Sequence, residues 1–321
     1  MSGIEELKEK LSIYIPTYNR ATDLQRTLKN LLESPVKDCK ITVLNNCSTD
    51  NTIEVFESIA DKFVNIHIES KLINLGSGSA NWLSSIHTCQ TEYIWIIADD
   101  DVFDFSSFDD VAAEILSSRA TIIQVGAHND GEWNWGVYDT PRNLFKKGYH
   151  YFRYSSFLPC SIVKFSYMTK YMKDAYNYIH YMYPHLPYLV DAYDKDIPIY
   201  LSKKRIVTAS VGQQRYSPYV PFRGFVVATE FLSDKKSKKE LCIDYYFSSR
   251  PFWYCTIYNT RCYRKELDIT MVKKILWNCV MSFKDKIAYI TFYIPIITIV
   301  PLILKSATII QYTIKGRFMS R

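Results

Sequence analysis

An α/β fold with a mostly parallel sheet is predicted by three features of the first third of the chain. Short apolar runs alternate with segments of helical spacing, three times over before a fourth run arrives. Each unit brings a polar loop to the same position: Pro16–Arg20, Asn45–Asp50 and Asn74–Asn81. The fourth run, Tyr93–Ala98, is rich in Ile and aromatics and ends abruptly in three carboxylates, Asp99, Asp100 and Asp101. Repeated β-α units of this kind imply a Rossmann-type arrangement, in which ligands lie outside the carboxyl ends of the strands. All four polar loops fall on that edge.

In chain order, residues 2–10 read as a short charged helix and Leu11–Ile15 as an alternating strand. Thr22 with Gln25 forms a capping-box pattern, and Leu24, Leu28, Leu31 and Leu32 carry helical spacing up to Pro35. Ile41–Leu44 is a second strand, followed by a helix with Ile53, Phe56, Ile59, Ala60 and Phe63 on one side. Asn65–Glu69 is a third strand, and Gly76–Gln90 holds a third helix before the central strand at 93–98. Beyond the acids, Ser106–Ser118 reads as a helix, Thr121–Val125 as a strand, Phe157–Val163 as a returning strand and Ile197–Leu201 as a strand. The stretch His128–Tyr149, with Trp133 and Trp135, suits either a sugar-binding platform or ordinary loop packing.

A chain of 321 residues holds one large domain or two modest ones. Its eight Cys form no C-x-x-C pair, which suggests free thiols in a reducing cytoplasm. The N-terminus has no apolar stretch of signal-peptide type, so no secretory signal is expected. From Lys235 to Arg321 there are 16 Lys and Arg against five Asp and Glu, a net +11 in a chain of net +6, leaving −5 for residues 1–234. An acidic body with a basic tail points to an anionic surface as the tail's partner. Ile287–Leu304 has 18 uncharged residues between lysines, interrupted by Pro295 and Pro301. At ~1.5 Å per residue it just matches a hydrocarbon core of ~30 Å, so it reads as a span or a kinked surface segment. Anionic lipid is therefore favoured over nucleic acid.

Three adjacent carboxylates at a strand end repel one another unless a cation is supplied. Oxygen-only ligands favour Mg²⁺ or Mn²⁺, held by one or two carboxylates together with substrate phosphates. There is no G-x-G-x-x-G and no G-x-x-x-x-G-K, which argues against a dinucleotide fingerprint or a P-loop.

The order and spacing of Ser12–Arg20, Asn46–Thr52, Asn74-Leu75-Gly76 and the strand ending Asp99-Asp100-Asp101 resemble the family 2 glycosyltransferases of GT-A fold. The resemblance covers about 11–126 strongly and 127–230 weakly. It implies inverting transfer of a sugar from a nucleotide-sugar donor, with Mn²⁺ or Mg²⁺ bound through a DxD-like acid group. It makes the loop Pro16, Thr17 and Tyr18 the wall against which the base packs, with Asn19 and Arg20 also binding the nucleotide sugar. Asn46 stands where an Asp usually reads uracil, and Asn74, Gly76 and Asn81 line the donor. Asp99 resembles the ribose-contacting acid and Asp100 or Asp101 the metal ligand, within a metal group of Asp99, Asp100 and Asp101. Ala80-Asn81 stands where the family often has Arg-Asn. Where a Glu-Asp pair with a catalytic base is usual, this chain has Pro184-His185, so His185 becomes the candidate base, with Asp191 or Asp130 as alternatives. Arg215 and Arg223 are candidates to close over the diphosphate.

The expectation is thus a GT-A catalytic domain over 1–230 and a basic helical region over 231–321 with a membrane-associating segment at 287–304. A UDP- or dTDP-linked donor and a lipid-linked or oligosaccharide acceptor follow, in bacterial surface polysaccharide synthesis at the inner face of the membrane. The alternatives are a catalytically degenerate binding protein and a nucleotidyltransferase that makes a nucleotide sugar, for which Pro16–Arg20 lacks a Gly-rich basic phosphate loop.

Overall fold

A computed structural model describes residues 2–127, 133–181, 183–209, 217, 219–246, 256, 260 and 262–291. The chain divides into two compact units, 1–224 with 230–233, and 225–229 with 234–321.

The first unit is built on an eight-stranded sheet. In chain order its strands are β1 (Leu11–Thr17), β2 (Lys40–Asn45), β3 (Ile66–Ser70), β4 (Tyr93–Ile96), β6 (Ile122–Gln124), β8 (Val137–Asp139), β9 (Ser161–Lys164) and β10 (Ile199–Leu201). The spatial order is β3-β2-β1-β4-β9-β6-β10-β8. Strands β1 to β4 are parallel, β9 runs against both β4 and β6, and β8 is an antiparallel edge. The mostly parallel α/β architecture is the expected one. Because β9 is reversed, its first residue, Ser161, lies at the carboxyl edge of β4 and β6, paired with Gln124.

The core follows from the patterning. The i, i+4, i+7 row Leu24, Leu28 and Leu31 on the helix Ala21–Leu32 is fully buried in one cluster with Ile13, Ile15, Ile41, Val43, Tyr93 and Trp95. Burying each Leu side chain is worth roughly 1.5–3 kcal/mol, which holds the helix on the sheet and fixes where its N-terminus points. That helix is not closed by the expected box: its N-cap is Arg20 and no side chain caps it there. The reason is tertiary. Asp50 Oδ2 accepts from the Ala21 N–H at 3.1 Å, while Arg20 turns to the acids.

A second sheet of three short strands, β5 (Val102–Phe103), β11 (Val207–Thr208) and β7 (Gly126–Ala127), carries the chain away from the acids. Gly126 is required there, since a Cβ would stand 2.1 Å from Val207 O. Trp95 anchors the segment after the acids: its indole N–H donates to Pro159 O at 2.8 Å, its ring stacks on Phe108, and Phe103 and Phe105 meet it edge-on.

The second unit contains the helices Lys235–Tyr246 and Ile269–Ile275, a wide turn at Leu276–Val280 and a helix over 283–291. Lys239 and Asp285 tie it together at 2.7 Å, and Tyr289 meets Trp277 edge-on. Among the described residues no helix is long and apolar enough to cross a membrane. Of the 287–304 stretch, 292–304 lie outside the described residues. Phe283, Ile287 and Ile290 are exposed.

Candidate active site

The carboxyl edge of β1 to β4 carries two knots of side chains. The first joins β1 to the acids. Thr17 Oγ1 donates to Asp99 Oδ2 at 2.8 Å, and Arg20 Nη1 donates to Asp99 Oδ1 at 2.8 Å and to Asp100 Oδ2 at 2.5 Å. The helix behind stitches the same loop: Thr27 Oγ1 donates to Asp99 O and Arg26 Nη2 to Asp100 O, each at 2.8 Å. Asp99 and Asp101 are buried. Burial pushes Asp99 up to about 6, against the opposing pull of Arg20 and Thr17. Burial also works against the charge of Arg20, but Asp99 and Asp100 hold its pKa above the ordinary value.

The second knot joins β2 to the loop after β3. Asn45 Oδ1 accepts from Ser48 N and its Nδ2 donates to Ser70 Oγ. Asn46 Nδ2 donates to Asn74 Oδ1 at 3.2 Å, and Asn46 Oδ1 accepts from Leu75 N at 2.9 Å. Asn74 Oδ1 also takes the N–H of Gly76, whose φ of +79° suits glycine. Asn81 is buried, its Nδ2 donating to Leu44 O at 2.7 Å, while among the described residues its Oδ1 has no hydrogen-bond partner. The knots meet where Asn46 N donates to Thr17 O at 3.0 Å. Asn19, in a left-handed conformation, accepts from Thr49 N at 2.7 Å, and Tyr18 stands half-exposed beside it.

The edge therefore gathers Thr17, Arg20, Asp99 and Asp100 in one group and Asn46, Asn74, Gly76 and Asn81 in another. Among the described residues no three His, Cys, Asp or Glu side chains are placed together as a ready-made metal cage. Both Asp99 oxygens and Oδ2 of Asp100 are already hydrogen-bonded, so the carboxylates alone do not complete the shell of a divalent ion; Asp100 and Asp101 are the residues that would hold one, with phosphate oxygens supplying the rest.

His185 stands at the N-cap position of the helix Leu186–Asp194, without a side-chain capping bond, and is 3% exposed. Its Nε2 lies 3.2 Å from Ser156 O, a contact that makes Nε2 the protonated nitrogen. Ser156 precedes β9, whose start is at the same sheet edge as the acids. Burial lowers the His185 pKa to about 4. Asp191, on the same helix, accepts from Tyr167 and Tyr171 at Oδ2 and pairs with Lys195 through Oδ1 at 2.7 Å. Arg223 donates to His180 O at 2.6 Å and lies over the Tyr181 ring. Trp133 and Trp135 pack on Tyr149, and the Trp133 indole N–H donates to Ser202 O. Asp130 and Arg215 lie outside the described residues.

Sequence reasoning missed Asp50 as a clamp. Its two oxygens take the first N–H groups of two helices, at Ala21 and Thr52, and against slight desolvation these bonds and one from the Thr52 hydroxyl keep its pKa low. The Asp-x-Thr just before an apolar helical run was the available signal.

Residues 12–177, just over half of the chain, match the profile of Glycosyl transferase family 2. The chain belongs to that family. It is 31% identical over 109 residues to the chondroitin synthase of Pasteurella multocida (strain Pm70), covering 34% of this chain and 11% of that one. It is 22% identical over 143 residues to the poly(ribitol-phosphate) beta-N-acetylglucosaminyltransferase TarS of Staphylococcus aureus (strain Mu50), covering 43% and 23%. The matched part is thus a minor fraction of each of these longer relatives. Among solved structures, S. aureus TarS 1-349 in complex with UDP superposes with a TM-score of 0.59 at 16% identity, covering 83% of this chain and 87% of that one. The mannosyltransferase PcManGT from Pyrobaculum calidifontis, in complex with GDP-Man and Mn²⁺, gives 0.52 at 11% identity, covering 87% and 83%. The fold is that of the GT-A glycosyltransferases. The family match sets aside the nucleotidyltransferase alternative.

Proposed function

We propose that the chain is an inverting glycosyltransferase that moves one sugar from a nucleoside-diphosphate sugar to a lipid-linked or oligosaccharide acceptor in surface polysaccharide assembly. The observation that carries this reading is the Arg20–Asp99–Asp100 knot beside the Asn46–Asn74–Asn81 knot, on the ligand edge of a family 2 sheet. One knot offers charge for a diphosphate, and the other offers neutral amides for a base and ribose. TarS binds UDP and UDP-GlcNAc in its solved complexes, which supports a nucleotide-sugar donor here, UDP- or dTDP-linked.

Pro16, Tyr18 and Asn19 wall the base, and Asn81 Oδ1, buried without a partner, awaits a donor from the nucleoside. Mn²⁺ or Mg²⁺, held by Asp100 and Asp101, would neutralise the leaving diphosphate. His185 is the base that takes the acceptor hydroxyl's proton at Nδ1, since Nε2 faces Ser156 O. Asp191 supports the same helix, its oxygens committed to Tyr167, Tyr171 and Lys195. We assign catalysis to 1–230 and attachment to the anionic inner face of the membrane to 231–321, through the basic helices and 287–304.

The test is product analysis. The full chain is incubated with nucleotide sugars, Mn²⁺ and a short oligosaccharide acceptor, and the anomeric configuration of the product is read by NMR. Inverted linkage with one sugar added supports the reading. Donor bound without transfer or hydrolysis would instead favour the binding protein, a role to which the burial of His185 lends weight.

A further inference from the structure

Asp99 and Asp100 share a cation that belongs to the chain. Arg20 Nη1 bridges Asp99 Oδ1 and Asp100 Oδ2, and the backbone carbonyls of the same two acids are fixed by Thr27 and Arg26. The backbone of both acids is therefore held by the helix, while the guanidinium sits at the end of a long, partly exposed side chain that can swing to a new partner. Thr17 takes the remaining oxygen of Asp99.

We propose that Arg20 is the resident cation of the acid site and sets its order of loading, so that a divalent ion binds these carboxylates well only together with a nucleoside diphosphate, which takes over the guanidinium. This rests on the reading of the edge as a nucleotide-sugar site. With both Asp99 oxygens and Oδ2 of Asp100 engaged, the carboxylates offer a divalent ion fewer oxygens than Mg²⁺ or Mn²⁺ needs. An ion on Asp100 also meets the positive charge of Arg20 at close range, and like charges a few ångströms apart oppose one another. A diphosphate removes both obstacles. Its oxygens complete the ion's shell, and they match the planar fork of a guanidinium as well as a carboxylate does. Coupling of this kind is reciprocal, so each ligand raises the affinity for the other by the same factor.

The test uses the full chain and the EPR signal of free Mn²⁺, with and without saturating UDP, corrected for Mn–UDP formed in buffer. The wild type is expected to bind Mn²⁺ weakly alone and at least ~10-fold more tightly with UDP. Arg20→Met is expected to bind Mn²⁺ alone ~10-fold more tightly than the wild type and to lose most of the coupling. Equal Mn²⁺ affinity of the wild type with and without UDP overturns the proposal, and that measurement needs no variant to fold. Arg20→Met binding Mn²⁺ no more tightly than the wild type overturns it too, while leaving the nucleotide-sugar reading intact. Failure of the wild type to bind UDP or Mn²⁺ under any condition overturns that reading, and the proposal with it.

Discussion

The β1/β4 corner and the β2/β3 corner lie on one sheet edge, yet the first is tied by charge and the second by neutral amides. At the first, Thr17 and Arg20 hold two carboxylates, one of them buried at a cost that shows in its raised pKa. At the second, Asn45, Asn46 and Asn74 bond backbone groups, the Ser70 hydroxyl and one another. Charge-assisted bonds can be traded for bonds to phosphate with little loss, so the ionic corner is suited to work on the reacting part of a donor. Neutral bonds that close a loop fix shape, so the amide corner is suited to hold one.

The sharpest way to break this distinction is to remove charge. On the proposed reading, in which the Arg20–Asp99–Asp100 group serves the diphosphate, Asp99→Asn and Asp100→Asn are each expected to lower kcat/KM by ~10²-fold or more. Asn46→Ala is expected to lower it by less than ~10-fold. Steady-state transfer kinetics with the donor that most raises Tm would check this, and equal losses at the two corners would erase the contrast.

Stability should order the same variants the other way. Asn46→Ala unties Asn74 and Leu75 from β2 and is expected to cost roughly 2 kcal/mol, for two hydrogen bonds in a buried setting. Asp99→Asn removes a buried charge whose desolvation already outweighs its ion pair, so it should leave stability nearly unchanged or higher. Urea denaturation of the full chain at neutral pH is the measurement.

Much of this was legible beforehand, for physical reasons. Strand-helix alternation and the row Leu24, Leu28, Leu31 depend on local spacing, so the parallel sheet and its ligand edge could be read directly. The capping role of Thr22 could not, because the cap is supplied by Asp50 from another loop. Nor could the burial of His185 or the tyrosine pair on Asp191, which depend on how distant helices pack. Strands as short as β5, β7 and β11 have no period to detect.

Acid separates Asp99 and His185 by sign. Asp99 has a folded pKa of about 6, above its ordinary value, so its ionisation penalises the fold and that penalty is relieved as pH falls from about 6 toward 4. His185 has a folded pKa of about 4, below its ordinary value, so it destabilises the fold as pH falls from about 6.5 toward 4. Asp99→Asn should therefore lose more stability than the wild type over that range, and His185→Gln should lose less. In turnover, protonation of Asp99 breaks the Arg20 bridge, so the rate is expected to fall below pH about 6, with no separate step at about 6.5 from the imidazole. A rate step at about 6.5 that vanishes in His185→Gln would mean that His185 titrates as an exposed imidazole.

The smallest effect on the fold is expected at Asn81, and it isolates what the amide corner does for a ligand. Its Nδ2 satisfies Leu44 O, and its Oδ1 is buried with nothing to accept from. Asn81→Ala removes a hydrogen bond worth about 1 kcal/mol and at the same time removes an unmet acceptor whose burial costs about 1–3 kcal/mol. These terms oppose each other, so urea denaturation should show a change of less than ~1 kcal/mol. A group kept unsatisfied in a packed interior makes physical sense where a ligand supplies the missing donor. Nucleotide affinity should then fall by ~10-fold in Asn81→Ala, the value of one lost buried hydrogen bond, measured by UDP titration calorimetry. Asn81→Asp keeps the acceptor but loses the donor to Leu44 O, so it should weaken the fold more than it weakens UDP binding. If both variants bind UDP like the wild type, Asn81 serves the backbone of β2 alone, and the amide corner holds a loop and no nucleoside.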